Sequence, residues 1–259
     1  MSNVKKTIEQ ITNWIKQYFV ENGPNCKAII GISGGKDSTI AAALLCKALG
    51  SDKVVAVKMP QGNQHDIDIS NKVIEYLGIK QVYEINIDSA CMAIYNAINK
   101  GYDSEYLIED NKAVYSNTPA RVRMTILYAI AADIHGRVVN TCNRSEDYVG
   151  YATKFGDSAG DFSIFANYTV REIKEIGKCL GIPSEFIDKV PEDGLSGLTD
   201  EDNLGFTYET LDAYLNNGIY PDYDVYKKIE ELHKRNLHKT QEMPKCPHFK
   251  NDTIFDIMF

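Results

Sequence analysis

Lys27-Ala28-Ile29-Ile30-Gly31-Ile32-Ser33-Gly34-Gly35-Lys36-Asp37-Ser38 is the stretch that decides how this chain is read. Its first half is a short, unbroken apolar run, the pattern of a strand buried on both faces of a parallel sheet. Its second half is a glycine-rich turn, followed by an Ala/Leu-rich helix predicted over Ser38–Leu49 and closed by Gly50. Glycines let the backbone turn tightly and bring successive N–H groups towards one anion. A helix starting there adds the positive end of its dipole. Ser33 and Ser38 bring hydroxyl donors, and Asp37 brings a carboxylate that can hold a divalent cation. A Gly-rich βα turn with Asp and Ser capping a helix would share the glycines; the full string points to phosphate. It is neither the G-x-x-x-x-G-K-[ST] loop nor G-x-G-x-x-G.

The same alternation continues on either side. Ile8, Ile11, Ile15 and Tyr18 recur at helical spacing, so residues 4–21 read as an amphipathic helix, ended by Gly23-Pro24-Asn25. Further strands are predicted over Lys53–Met59, Gln81–Ile87 and Arg137–Thr141, and further helices over 66–77, 89–99, 118–135 and 168–180. Strands spaced by helices imply an α/β fold: an open, mostly parallel Rossmann-like sheet with right-handed crossovers and helices on both faces. Ligands of such sheets bind beyond the carboxyl ends of the strands. Two polar stretches, 142–166 and 190–205, read as long loops, the kind of segment that carries function. No internal repeat and no Pro/Gly/Ser linker divides the chain, so 1–259 is expected to be a single domain.

Composition narrows the classes. There are 28 Lys and Arg against 36 Asp and Glu, a formal net charge of −8, which argues against non-specific nucleic-acid or anionic-membrane binding. With 44% apolar residues, disorder is excluded. The cysteines, Cys26, Cys46, Cys91, Cys142, Cys179 and Cys246, form no C-x-x-C pair and no disulfide framework, and they fit a reducing compartment. Cys246-Pro247-His248 offers two metal-ligand types, too few for a site. The N-terminus lacks the apolar core of a signal peptide, and no run approaches the ~20 residues that span a bilayer. The cytoplasm is the expected location.

Ser33-Gly34-Gly35-Lys36-Asp37-Ser38 resembles the pyrophosphatase loop of the N-type ATP pyrophosphatases, which split ATP between its α and β phosphates and adenylate a carboxyl or carbonyl group. Other motifs follow in order: Lys58-Met59-Pro60-Gln61-Gly62 with Gln64; Asn117-Thr118-Pro119-Ala120-Arg121-Val122-Arg123; Thr141 with Glu146; Lys154-Phe155-Gly156-Asp157 with Asp161; Thr199–Gly205; and His238-Lys239. The ordered set resembles the ammonia-dependent NAD synthetases over nearly the whole chain. That resemblance implies an adenine nucleotide alpha hydrolase-like fold, no glutaminase (amidohydrolase) domain, and a homodimer. It implies amidation of deamido-NAD by ammonia, with ATP as co-substrate, giving NAD, AMP and pyrophosphate.

It also implies residue roles. Gly31, Ile32, Ser33, Gly34, Gly35, Lys36, Asp37, Ser38, Lys58, Gln64 and Thr141 would bind ATP. Asp37 and Glu146 would hold Mg²⁺. Arg121, Lys154, Asp161, His238 and Lys239 would hold deamido-NAD, with Arg123 a weaker candidate. Asp37, Glu146 and Asp161 are the expected catalytic set, and Asp157 or Asp161 is the candidate base for ammonium. Acidic residues 199–202 are expected to supply negative charge to a helix N-terminus near Phe206.

Two departures stand out. Val170 occupies a position where many members have an ATP-contacting Lys, and Lys36, where many have Gln, is the expected replacement charge. Glu192 stands where a Ser or Thr often contacts ATP. The alternatives are another adenylating ATP pyrophosphatase, such as a tRNA-modifying enzyme, or a non-catalytic adenine-nucleotide sensor.

Overall fold

The computed structural model describes residues 3–62, 67–101, 111–188 and 199–247. Within them, β1 (Lys27–Gly31), β2 (Val54–Lys58), β3 (Gln81–Glu84), β4 (Gly136–Asn140) and β5 (Phe162–Ser163) form a five-stranded sheet in the order β3-β2-β1-β4-β5. All pairings are parallel, with Ile29 beside Val55 on one side and Val138 on the other. This bears out the predicted fold class. The strand sequence runs outward from β1 to β3 on one side and through β4 to β5 on the other, so the order reverses between β1 and β4. That reversal opens a crevice at their carboxyl ends, where ligands of such sheets bind.

Successive strand side chains point to opposite faces. Ala28, Ile30, Val54 and Ala56 face a core built with α1 (Asn3–Asn22), α2 (Lys36–Leu49) and α7 (Val170–Leu180), which contribute Ile11, Ile15, Ile40, Leu44, Ile173 and Ile176. Ile29, Val55, Val57 and Val138 face α5 (Lys112–Ile134), which contributes Met124, Leu127 and Ile130. Each such fully buried aliphatic is worth about 1.5–3 kcal/mol relative to exposure. On the α5 side, α4 (Asp88–Gly101) packs Cys91 and Tyr95 against Val122; on the opposite face, α3 (Ile67–Leu77) sits beside α2.

Several elements differ from their predicted bounds. The α2 helix begins at Lys36 rather than Ser38, so two loop residues belong to its first turn. The α5 helix begins at Lys112, with Pro119 inside it, because Asn111 caps the earlier start by accepting from Ala113 N. A proline costs a helix one backbone donor but does not stop one whose packing continues. The polar stretch 142–166 is not one loop: it contains α6 (Arg144–Val149) and β5. The signal for α6 was present as Asn143-x-x-Glu146, a capping box in which Asn143 Oδ1 accepts from Glu146 N and Glu146 accepts from Asn143 N. The end of 190–205 is likewise helical, α9 (Asp200–Leu204), capped by Thr199 and Asp202; residues 189–198, including Glu192, lie outside the described residues.

The sequence reading also passed over a short α8 (Ser184–Ile187), placed only the N-terminus of α10 (Tyr208–Asn217), near Phe206, and passed over α11 (Tyr223–Asn236). With α6 and α9 the last two build a small second core of Val149, Val170, Leu204, Phe206, Leu211 and Ile229. No helix among the described residues is long and apolar enough to cross a membrane.

Candidate active site

The loop after β1 turns at Gly34, whose φ of +79° suits glycine. A Cβ there would also come within 3.2–3.3 Å of Ile69. Ser33 Oγ accepts from Gly35 N at 3.2 Å and lies 3.1 Å from Ser38 Oγ; Thr39 Oγ1 donates to Gly35 O at 2.8 Å. These bonds fix the loop over the α2 N-terminus, where backbone donors and the helix dipole favour an anion.

Two carboxylates meet beside this loop. Asp37 is in the first turn of α2, after β1, and Glu146 is in the first turn of α6, after β4. They stand on the two sides of the sheet reversal. Desolvation, and then the neighbouring Asp37 carboxylate, push the Glu146 carboxyl well above the usual range, while Lys36 pulls the other way. Asp37 Oδ2 accepts from Lys36 Nζ at 2.8 Å, but Asp37 Oδ1 is buried and has no hydrogen-bond partner among the described residues. An orphaned carboxylate oxygen facing a second carboxylate fits a hard cation. Mg²⁺ takes one or two carboxylates with phosphate oxygens and water, so the lack of any cluster of three or more His, Cys, Asp or Glu among the described residues does not count against it.

The sequence reading missed two members of this neighbourhood. Asp200, at the start of α9, is buried, and its charge bears on both Lys36 and Glu146. Tyr208, at the start of α10, lies with its ring 5.9 Å from Lys36 Nζ, and burial raises its phenol pKa. The acidic run therefore divides: Glu201 Oε1 accepts from Tyr208 N at 2.8 Å, supplying charge to a helix N-terminus as expected, while Asp202 completes the α9 cap and Asp200 turns towards the site. Local patterning could flag the acids but not which one turned inward.

On the far side of β4 the other predicted residues gather. Arg121 Nε donates to Lys154 O at 3.2 Å, Lys154 Nζ donates to His238 O at 2.5 Å, and Lys239 Nζ donates to Gly150 O at 2.7 Å. Lys154, Lys239, Phe155, Gly160, Tyr128 and Met243 are among the residues lining a cleft of about 260 Å³. Asp161 borders it, its Oδ2 accepting from Val138 N at 2.7 Å and its Oδ1 from Tyr128 Oη at 3.3 Å. Asp157 Oδ1 accepts from Thr153 N at 2.8 Å, which orders the same loop. Arg123 leaves the other face of α5 and donates to Met59 O at 3.1 Å, separate from Arg121 as their spacing predicted.

Some predicted residues are held elsewhere or fall outside view. Lys58 is buried at the end of β2, with Nζ on Glu84 and Asn71 rather than in the phosphate loop. Thr141 follows β4 directly and is half-buried. Gln64 and His248 lie outside the described residues. Val170 is 6% exposed and packs in the second core, so a small apolar side chain serves this position. Arg171 pairs with Glu175 on the outside of α7.

An NH3-dependent NAD+ synthetase of Methanocaldococcus jannaschii is 38% identical over 235 residues, 90% of this chain and 86% of that protein. The solved NMN synthetase of Francisella tularensis superposes with a TM-score of 0.85 at 34% identity, over 96% of this chain and 100% of that one. The NH3-dependent NAD synthetase of Campylobacter jejuni superposes with a TM-score of 0.71 at 27% identity, over 95% of this chain and 100% of that one. The NAD synthase family model matches residues 7–253, and with the phosphate loop, the paired carboxylates and the basic cleft this makes the chain a member of the NAD synthase family.

Proposed function

We propose that this ligase amidates the nicotinate carboxylate of deamido-NAD with ammonia, consuming ATP and releasing NAD, AMP and pyrophosphate. The observation that carries the reading is the arrangement around β4: a phosphate loop with two carboxylates on one side, and a cleft lined by Lys154 and Lys239 on the other. ATP and a pyridine dinucleotide could thus meet across one strand end. The carboxylate oxygen attacks the α-phosphorus, the bond to pyrophosphate breaks, and an acyl-adenylate forms. Ammonia then attacks the activated carbonyl and AMP leaves.

The protein's share is positioning and charge stabilisation. The loop N–H groups at the α2 N-terminus receive phosphate oxygens. Asp37 and Glu146 would hold Mg²⁺, which when bound would neutralise charge on the triphosphate. Arg121, Lys154, His238 and Lys239 hold the dinucleotide, and Asp161 stands at the edge of the cleft, bonded to Tyr128 of its lining. Asp157, tied to Thr153 N by one oxygen, is placed in the same loop as a candidate base for ammonium. We place the whole activity in one domain acting as a homodimer.

A second reading has its own support. The likeness to the Francisella NMN synthetase, with a TM-score of 0.85, favours the same chemistry on the smaller nicotinate mononucleotide. The adenylation site serves either acid. Purified protein with ATP, Mg²⁺ and ammonium is offered deamido-NAD and nicotinate mononucleotide at equal concentration. Faster NAD formation supports the first reading, and faster NMN formation replaces it with the second. Release of ADP instead of AMP and pyrophosphate would sink both. Glutamine is expected to replace ammonium poorly.

A further inference from the structure

Lys36 is in an unusual place for a lysine. It opens α2, where the helix dipole disfavours a cation, yet it is only 4% exposed. Neighbouring residues on a helix point in different directions, so its contact with Asp37, the very next residue, requires the chain of methylenes to bend back. The ammonium reaches Asp37 Oδ2 at 2.8 Å, lies 5.9 Å from the Tyr208 ring, and is under the charges of Glu146 and Asp200. It therefore stands among the same carboxylates that the reading above gives to a divalent cation.

We propose that Lys36 is a tethered counter-cation that neutralises the Asp37–Glu146 pair until nucleotide arrives, so that a divalent ion binds these carboxylates tightly only when Lys36 leaves Asp37 for a phosphate oxygen. The inference rests on the assignment of Asp37 and Glu146 as the metal carboxylates. Two cations cannot share one pair of carboxylates without repulsion, and a buried ammonium leaves such a partner only for another anion. The triphosphate, bound at the loop that Lys36 belongs to, is that anion. Metal and ATP then help each other bind, because ATP removes the competitor of the metal. Such coupling is reciprocal and typically falls in the range of roughly 5–150-fold.

The test is Mn²⁺ binding to the purified, nucleotide-free protein, followed by the electron paramagnetic resonance signal of free Mn²⁺. Wild type is expected to bind weakly. Lys36→Gln and Lys36→Met, which remove the charge at similar length, are expected to bind about 5-fold or more tightly, whereas Lys36→Arg stays near wild type. A non-hydrolysable ATP analogue should strengthen Mn²⁺ binding in wild type by more than in Lys36→Gln. Circular dichroism melts confirm that each variant is folded, and having both Gln and Met guards against one misfolding. If Asp37→Asn weakens binding in both backgrounds but neither neutral variant strengthens it, the counter-cation role is overturned while the metal site stands. If Asp37→Asn changes nothing in either background, the metal site itself is wrong and this inference falls with it.

Discussion

Asp37 and Glu146 each satisfy a local need as well as a shared one. Both add negative charge to the first turn of a helix, and Glu146 closes a capping box with Asn143. What sets them apart from ordinary caps is that they meet. Desolvation and mutual repulsion raise the Glu146 carboxyl, which a cation between them would relieve. Asp37→Asn and Glu146→Gln, close in shape to the originals, are each expected to lower ligase turnover by roughly 10²-fold or more in protein that circular dichroism shows to be folded. Product formation at saturating substrates measures this, and full activity in either variant removes it from the metal pair. Tyr128 offers a different residue-scale readout. Desolvation, with Asp161 second, holds its phenol pKa at about 12. The unfolded phenol ionises near ~10, so the folded state loses stability as pH rises from there towards the folded value. Tyr128→Phe has no such phenol, and its melting temperature should gain on wild type steadily between about pH 10 and 12. A constant difference across that interval would contradict the raised phenol pKa.

Elements meet at Asp212. This residue of α10 is 2% exposed, and its carboxylate accepts from Ser145 Oγ of α6 at 2.6 Å and from the backbone N of Arg171 in α7 at 2.8 Å. It ties together the helix that carries Glu146, a helix of the main core, and the second core. Bonds to a charged acceptor are worth about 1.5–3 kcal/mol each, and Asp212→Ala also strands a buried hydroxyl. The expected outcome is a loss of roughly 2–4 kcal/mol in urea unfolding together with a higher Mg²⁺ concentration needed for half-maximal activity, because α6 is no longer held. Gly160 is a second joint of this kind. A Cβ there would come within 2.7 Å of Asn140 Cβ and 2.8 Å of Asn140 N, so Gly160→Ala must push the cleft loop off the end of β4. It is expected to cost about 1–3 kcal/mol and to raise KM for the acid substrate more than it lowers kcat. Unchanged KM would show that the loop does not hold that substrate.

Across the whole molecule, the apolar stripes of α1 and α5 are largely spent inside the chain: Ile8, Ile11, Ile15 and Phe19 pack into the main core, and Met124, Leu127 and Ile130 into the opposite one. Aromatic surface remains, with Trp14 46% exposed beside Tyr18 and Phe162. The homodimer we propose should sediment at twice the 29.1 kDa of the chain at micromolar concentration; a single species at that mass would refute it.

By itself the sequence determined the parallel sheet, the phosphate loop and the order of the site motifs. Buried strands, glycine turns and helix caps are local patterns, read from a few consecutive residues. It undershot α6, whose capping box was visible but lay in a polar stretch, and the start of α5, where Pro119 looked like a boundary. Tertiary structure decided which acids face inward. Asp200 brings its charge to bear on Lys36 and Glu146 while Asp202, two residues on, caps its own helix, and Lys58 pairs with Glu84 at the end of β2. Those outcomes depend on how α9, α10 and β3 pack against elements far away in the chain. No spacing rule encodes such long-range packing, because the free energy that selects it is shared among many weak contacts.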